Sequence, residues 1–360
     1  MIDSTCFEPL QRIGLKPSLI QTALLAARFD GAEQLVRISR VERDQLAVHD
    51  GHAEHPARAL PALLTQLLDQ GDSLAVGDWV LAWRNTLGET WVHERLPPLT
   101  QLARRLHDGR EKVTRVAIVN NVDTALLTMG ADLDFNPRRL QRYLALAQIS
   151  GVAPVVVLTK ADLCPDLPAR QRELAATLPA GVPCVAVNAL HDSAGAVLEP
   201  WLGAGQTLVL LGSSGAGKST LTNTLLGVAV QLTGEARRGD GRGRHTTTAR
   251  SLHVTPQGAC IIDTPGLRTL RLDADEAALD EVFDDIGALS QHCRYRDCRH
   301  GDEPGCAVRE GVSAERLRSY HKLRREAGRD TLSLRQRQER LALWKARARH
   351  SRLRMAAKRG

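Results

Sequence analysis

A chain of 360 residues with 43% hydrophobic content can bury several cores, so two or three domains are expected and wholesale disorder is excluded. Met1 to Lys16 shows no basic stretch followed by an apolar run, and no segment approaches the roughly 20 apolar residues of a membrane span, so a cytoplasmic protein with no membrane partner is expected. The net charge of +7 is local: residues 331–360 hold ten Lys/Arg against one acid, a net of +9 that leaves −2 for the rest, which points that tail at a polyanion such as nucleic acid.

Residues 1–33 read as an N-terminal leader. From Gln34 to about residue 105, short runs alternate apolar and polar positions, as in Leu35-Val-Arg-Ile-Ser, Gly77-Asp-Trp-Val-Leu-Ala-Trp and Glu89-Thr-Trp-Val-His-Glu-Arg. Such runs predict several short strands closing a small barrel. Within it, Pro56 to Asp72 carries Leu60, Leu63, Leu64, Leu67 and Leu68 at helical spacing. Trp79, Trp83 and Trp91 are read as core for the most part.

Residues 106–270 change pattern, alternating short apolar runs with helical stretches. Val116-Ala-Ile-Val, Thr124-Ala-Leu-Leu-Thr-Met, Pro154-Val-Val-Val-Leu-Thr, Pro183-Cys-Val-Ala-Val, Thr207-Leu-Val-Leu-Leu and Ala259-Cys-Ile-Ile-Asp predict strands covered on both faces, with Pro137 to Ile149 among the covering helices. A doubly wound α/β domain follows.

Gly212-Ser213-Ser214-Gly215-Ala216-Gly217-Lys218-Ser219-Thr220 follows one of these strands and precedes a helix, the context of a P-loop. Its backbone N–H groups can cradle phosphates, Lys218 can reach the β and γ phosphates, and the Ser219 hydroxyl can ligate Mg²⁺. Thr159-Lys160-Ala161-Asp162 resembles the guanine-reading Asn-Lys-x-Asp of GTPases: Asp162 can accept from N1–H and the exocyclic amine of guanine, and Lys160 can lie over the purine. Asn188-Ala189 ends the next strand where GTPases have Ser-Ala. Asp263-Thr-Pro-Gly266 matches the Asp-x-x-Gly element that holds Mg²⁺ through water and senses the γ phosphate. Between them, Gly241-Arg-Gly-Arg-His-Thr-Thr-Thr248 reads as a switch loop, with Thr247, or alternatively Thr246, completing Mg²⁺ coordination. The base-reading elements precede the P-loop, the reverse of ordinary GTPases, so the motif order is circularly permuted. Leu267 stands where many GTPases carry a water-orienting glutamine, which leaves His245 as the nearest polar candidate for that task and Arg244 as its rival.

Residues 271–330 contain Cys293, Cys298, His300 and Cys306 within fourteen residues. Three thiolates and an imidazole can enclose one structural Zn²⁺, with no position left for water. His292 is read as a solvent-facing neighbour. Charged helical sequence follows, then the basic tail 331–360.

Taken together, Val76-Gly-Asp-Trp-Val80, Asn121-Val-Asp123, Arg142-Tyr-Leu144, the permuted GTPase motifs, Gly243-Arg-His-Thr-Thr247 and the Cys-x4-Cys-x-His-x5-Cys set resemble the circularly permuted, ribosome small-subunit-dependent GTPases, the RsgA or YjeQ family. The resemblance spans about Gln34 to Tyr320. It implies an N-terminal OB-fold barrel, a central circularly permuted P-loop GTPase domain and a C-terminal α-helical zinc-binding domain. It also implies GTP hydrolysis stimulated by the small ribosomal subunit, a partner met through its rRNA, during late maturation. A monomer is expected. The alternative is an RNA-binding scaffold that uses GTP mainly as a conformational sensor. Thr159 for Asn and Asn188 for Ser are departures from the family pattern.

Overall fold

The structure is a computed structural model that describes residues 7–26, 33–42, 45–107, 113–179, 181–228, 250–264, 279 and 282–330. It opens on helices α1 (Glu8–Arg12) and α2 (Pro17–Ala26), each with proline in its first turn, where the missing N–H costs no helical bond. Within the segment read as a leader, Phe7, Leu10, Ile13, Leu15, Leu19 and Ala23 are buried in the main hydrophobic core.

Strands β1 (Glu33–Val41), β2 (Leu46–His49), β3 (Glu54–Ala59), β4 (Trp79–Arg84) and β5 (Thr90–Arg95) follow. They pair in the order β1-β2-β3-β5-β4, and β4 returns to β1 to close the barrel. The helix within it, α3, spans Pro61–Asp69. It is shorter than the periodicity from Pro56 suggests, because Pro56 to Ala59 belong to β3 and pair with β2 and β5. Period-two alternation explains the long buried run of β1. Val36 and Ile38 point into the barrel with Val48, Val80, Ala82 and Val92. On the opposite face, Leu35, Trp79 and Leu81 pack into the main core. One barrel wall is therefore covered on both sides. Trp79 is buried in that joint, whereas Trp83 and Trp91 are half-buried, paired directly across β4 and β5. The core reading holds for one of the three tryptophans.

Arg37 sits in the joint, fully buried over the Trp79 ring at 5.4 Å. It donates to the carbonyl of Ile13, to Thr207 Oγ1 at 2.9 Å and to the Asn121 carbonyl at 2.9 Å. Those acceptors lie in the N-terminal segment, the strand that leads to the P-loop, and the approach to the central sheet, so one guanidinium ties three parts of the chain together. Beside it, Gly77 has φ +94°, and a Cβ there would lie 2.0 Å from the Asn120 carbonyl oxygen. No side chain fits that contact.

A two-stranded ribbon, β6 (Gln101–His107) with β7 (Val113–Asn120), connects barrel to sheet. Val116-Ala-Ile-Val is thus a strand, but not one of the central sheet, a correction to the expectation: its ladder partner is β6, and an isolated bridge from Val119 reaches Val76. The central sheet is built from β8 (Thr124–Gly130), β9 (Ala153–Thr159), β10 (Cys184–Ala186), β11 (Thr207–Gly212), β12 (Arg250–Val254) and β13 (Cys260–Asp263). Its order is β10-β9-β8-β11-β13-β12, parallel as far as β13 and antiparallel at β12. Both faces are buried. Val156, Leu158, Val209 and Leu211 pack with α4 (Pro137–Ile149) on one side. Val155, Val157, Leu208 and Leu210 meet α6 (Ser193–Leu198) and α7 (Lys218–Leu226) on the other, the doubly wound layering expected. Helix α5 (Leu167–Ala175) lies between β9 and β10 in the chain. The outer edge of β12 pairs with β1 through Arg40–Ser251 and Val41–Arg250, so sheet and barrel share one ladder.

The C-terminal module contains α8 (Asp284–Ser290), α9 (Ala307–Gly311) and α10 (Ala314–Asp330). Phe283 and Tyr320 meet edge to face at 5.3 Å in its core. Arg138 of α4 pairs with Glu315 at 2.8 Å, which seats α10 against α4, and Arg316 donates to Asp285 at 2.7 Å, which ties α10 to α8.

Candidate nucleotide site and metal centre

Because β8, β9, β10, β11 and β13 run parallel, their carboxyl ends open at one edge of the sheet, where ligands of such folds bind. Four of the sequence-predicted segments converge there. Gly212 to Gly217 turn from β11 into α7, and Gly217 takes φ +81° as the residue before Lys218. A Cβ on Gly217 would lie 3.2 Å from Thr159 Oγ1, so a glycine lets the P-loop and the base-reading loop close on each other. Lys218 Nζ donates to the carbonyls of Gly212 at 2.9 Å and Ser213 at 2.6 Å. The ammonium is thereby held across the mouth of the loop. Ser219 and Thr220 follow in the first turn of α7, with Ala216 buried beneath and Ser214 and Gly215 exposed.

Thr159 ends β9, fully buried, and its hydroxyl donates to the Ala216 carbonyl at 2.7 Å. The tether between base-reading loop and P-loop is made by the threonine itself, so the departure from asparagine does not leave the P-loop unattached. Lys160 is left-handed with φ 56°, a conformation that non-glycine residues adopt at a cost and that clusters at functional sites. Ala161 and Asp162 enter a short 3₁₀ turn, Asp162 exposed. The Ala161 N–H donates to the Val187 carbonyl at 3.3 Å, Asn188 Oδ1 accepts from Leu190 N–H, and Thr224 of α7 donates to the Ala189 carbonyl at 2.6 Å. The loops at Thr159–Asp162 and Asn188–Ala189 and the P-loop helix are thus joined by hydrogen bonds. Asp263 ends β13 at the same edge. Gly266, Leu267, Arg244, His245, Thr246 and Thr247, together with the basic tail, lie outside the described residues.

Two residues that sequence reasoning missed lie in the loop after β8. Asp132 accepts from Lys160 Nζ at 2.7 Å, and Asp134 accepts from Ser213 Oγ at 2.8 and 2.6 Å. Burial pushes the Asp132 carboxyl up, but the Lys160 hydrogen bond, the Asp134 N–H and the Lys160 charge outweigh it and leave it below the usual carboxylate range. The available signal was Asp-x-Asp directly after a buried strand, a pattern too short to separate from an ordinary turn.

The metal-ligating set is assembled in space as well as in sequence. Ligand atoms of Cys293, Cys298, His300 and Cys306 all lie within 4.8 Å of one another. Cys293 Sγ and Cys306 Sγ are 3.9 Å apart, and each is 3.6 Å from His300 Nδ1. Tetrahedral geometry with metal–sulfur bonds of about 2.3 Å and metal–nitrogen bonds of about 2.0 Å demands about 3.8 and about 3.5 Å, so the donor set fits a closed four-coordinate ion. His300 takes φ 59° and its carbonyl accepts from His321 at 3.3 Å. Glu303 accepts from the Gly301 and Arg299 N–H groups, shaping the loop. His292 is exposed.

Known proteins resemble the chain along most of its length. A family model described as RsgA GTPase matches residues 99–273. An ABC transporter model matches residues 201–356, a stretch that includes the P-loop strand but neither Thr159–Asp162 nor Asn188–Ala189. A small ribosomal subunit biogenesis GTPase RsgA of Xylella fastidiosa is 46% identical over 74% of this chain and 78% of its own length. One from Xanthomonas euvesicatoria is 42% identical over 89% of each. Among solved structures, YjeQ from Thermotoga maritima superposes with a TM-score of 0.60 at 22% identity, over 82% of this chain and 98% of that one. YloQ, a circularly permuted GTPase, gives 0.58 at 21%, over 85% and 99%.

Proposed function

The chain belongs to the RsgA GTPase family and is a GTP-hydrolysing enzyme, and we propose that it binds the small ribosomal subunit and hydrolyses GTP as a late checkpoint on that particle's maturation, with the subunit stimulating turnover. The observation that carries the reading is the Thr159–Ala216 hydrogen bond of 2.7 Å, which sets a guanine-type loop against a P-loop. In this reading Asp162 reads the base edge, Lys160 covers the purine, Asn188 and Ala189 complete the base pocket, and Gly212 to Thr220 hold the phosphates. Lys218 neutralises charge at the β and γ phosphates. Mg²⁺ is held by Ser219 and Thr247 and linked through water to Asp263, while Gly266 senses the γ phosphate. His245 orients the attacking water. The metal of the Cys293, Cys298, His300 and Cys306 set is zinc, which supplies folding energy and no chemistry.

The same proposal divides the chain into barrel (34–105), GTPase (106–270), zinc module (271–330) and tail (331–360), with the tail's net charge of +9 meeting rRNA phosphates. The protein acts as a monomer in the cytoplasm. No described helix is long and apolar enough to cross a membrane. The test is GTP turnover with and without purified small subunits. A many-fold rise supports the checkpoint; turnover that stays negligible with subunits bound supports the scaffold reading instead.

A further inference from the structure

The loop between β8 and α4, Ala131 to Asn136, is built more firmly than a connection requires. The Ala131 N–H donates to the Thr159 carbonyl at 2.9 Å, the Asp134 N–H to Asp132 Oδ1 at 3.1 Å, and the Phe135 N–H to the Asp132 carbonyl at 3.1 Å. Asn136 caps α4 by accepting from Arg139 N–H at 3.0 Å, and Arg170 lies over the Phe135 ring at 4.3 Å. From this frame two carboxylates leave in different directions. Asp132 meets Lys160, the residue over the purine; Asp134 meets Ser213, the second residue of the P-loop, and is backed by Arg139.

We infer that Asp132 and Asp134 are positioning residues for nucleotide binding: Asp132 fixes the Lys160 ammonium so that its stem lies flat over the base, and Asp134 fixes the entry of the P-loop through Ser213. The inference rests on the assignment of Lys160 and the P-loop to the nucleotide. Several features support positioning. Lys160 is flexible by nature, with rotamer freedom that must be lost when it stacks; a carboxylate at 2.7 Å, with both groups about one-third exposed, restricts that freedom before the nucleotide arrives. Ser213 offers one hydroxyl proton to both oxygens of Asp134, whose second role as acceptor from Arg139 holds the carboxylate still. One loop therefore serves the base subsite with one acid and the phosphate subsite with the other. The two effects are separable, because pyrophosphate occupies only the second subsite.

The experiment measures binding of fluorescent GDP, and its displacement by inorganic pyrophosphate, to the full chain. Asp132→Ala and Lys160→Ala are each expected to weaken GDP about fivefold, with the double variant no weaker than the worse single and pyrophosphate affinity unchanged. Asp134→Ala and Ser213→Ala are expected to weaken GDP and pyrophosphate alike by about tenfold, again without multiplication in the double, while Ser213→Thr restores binding by restoring the hydroxyl. Ser213→Ala with Asp134→Asn carries the test if Asp134→Ala does not fold. Losses that multiply in either pair, or an Asp132→Ala protein that binds GDP as wild type while Lys160→Ala does not, overturn the inference. GDP binding untouched by both Lys160→Ala and Lys218→Ala removes the underlying site assignment, and the inference with it.

Discussion

Asp78 offers a prediction whose size follows from its surroundings. Its carboxylate is fully buried at the barrel joint, accepting from Ala75 N–H at 2.8 Å and Asn120 Nδ2 at 2.6 Å. Burial pushes its pKa up to about 6, against the opposing pull of the Arg95 charge and those two hydrogen bonds. The folded protein therefore holds a proton that the unfolded chain, near 3.8, has released. Stability falls as pH rises through the window from about 4 to about 6 and is flat above it. A shift of about two pKa units corresponds to about 3 kcal/mol over the whole window, of which about 1.4 kcal/mol separates pH 7.5 from pH 5. Asp78→Asn removes the titration. Asn120 Oδ1 is buried without a hydrogen-bond partner, so rotation of the Asn120 amide presents an acceptor to the new side-chain NH₂ and keeps the contact. Urea melts of both proteins at about pH 7.5, 6 and 5 should show wild type gaining about 1.4 kcal/mol on the variant as pH falls. All other titrating groups are common to both. Parallel pH profiles would refute the reasoning, since they mean that Asp78 carries no proton in that range.

Other outcomes follow from the site. Thr159→Val keeps shape but leaves the Ala216 carbonyl without its 2.7 Å donor; GDP affinity should fall about tenfold, whereas Thr159→Asn, which retains a donor, should bind nearly as wild type in the same titration. Asp162→Asn should weaken GDP and let xanthosine diphosphate compete, because an amide donates to the xanthine carbonyl that replaces the amine; undiminished GDP binding in calorimetry contradicts the base-reading role. Cys298→Ser, or chelation, should release one metal ion per chain and increase proteolysis near residues 290–310 while GDP still binds, because the metal set and the nucleotide edge are built from different elements. Simultaneous loss of GDP binding argues against that independence.

Much of the candidate nucleotide site was legible because its motifs are written locally. A P-loop needs its glycines, lysine and hydroxyl in consecutive positions, and the metal set fits within fourteen residues, so spacing alone specifies the geometry. What stayed hidden depends on partners distant in the chain. Arg37 sits in an alternating run that reads as solvent-facing, yet its acceptors are at Ile13, Asn121 and Thr207. The N-terminal helices pattern weakly because their apolar residues match a surface made by other segments. Val116 to Val119 have the composition of a central strand, and only the competition between β6 and the sheet for their backbone groups decides their place. Asp132 and Asp134 look like turn residues until the P-loop is folded beside them.

The shared ladder between sheet and barrel gives β12 an unusual position in the mechanics of the molecule. It begins three residues after Thr247, pairs along one edge with β13, which ends at Asp263, and along the other with β1 of the barrel. The strand at the outer edge of the sheet is therefore also the strand that carries the barrel. A shift of β12 cannot be absorbed inside the central sheet alone, because its ladder with β13 and its ladder with β1 are fixed to the same five residues. Replacing the barrel with a foreign module would thus strip β12 of its outer-edge backbone partner, so sheet and barrel have to be engineered together.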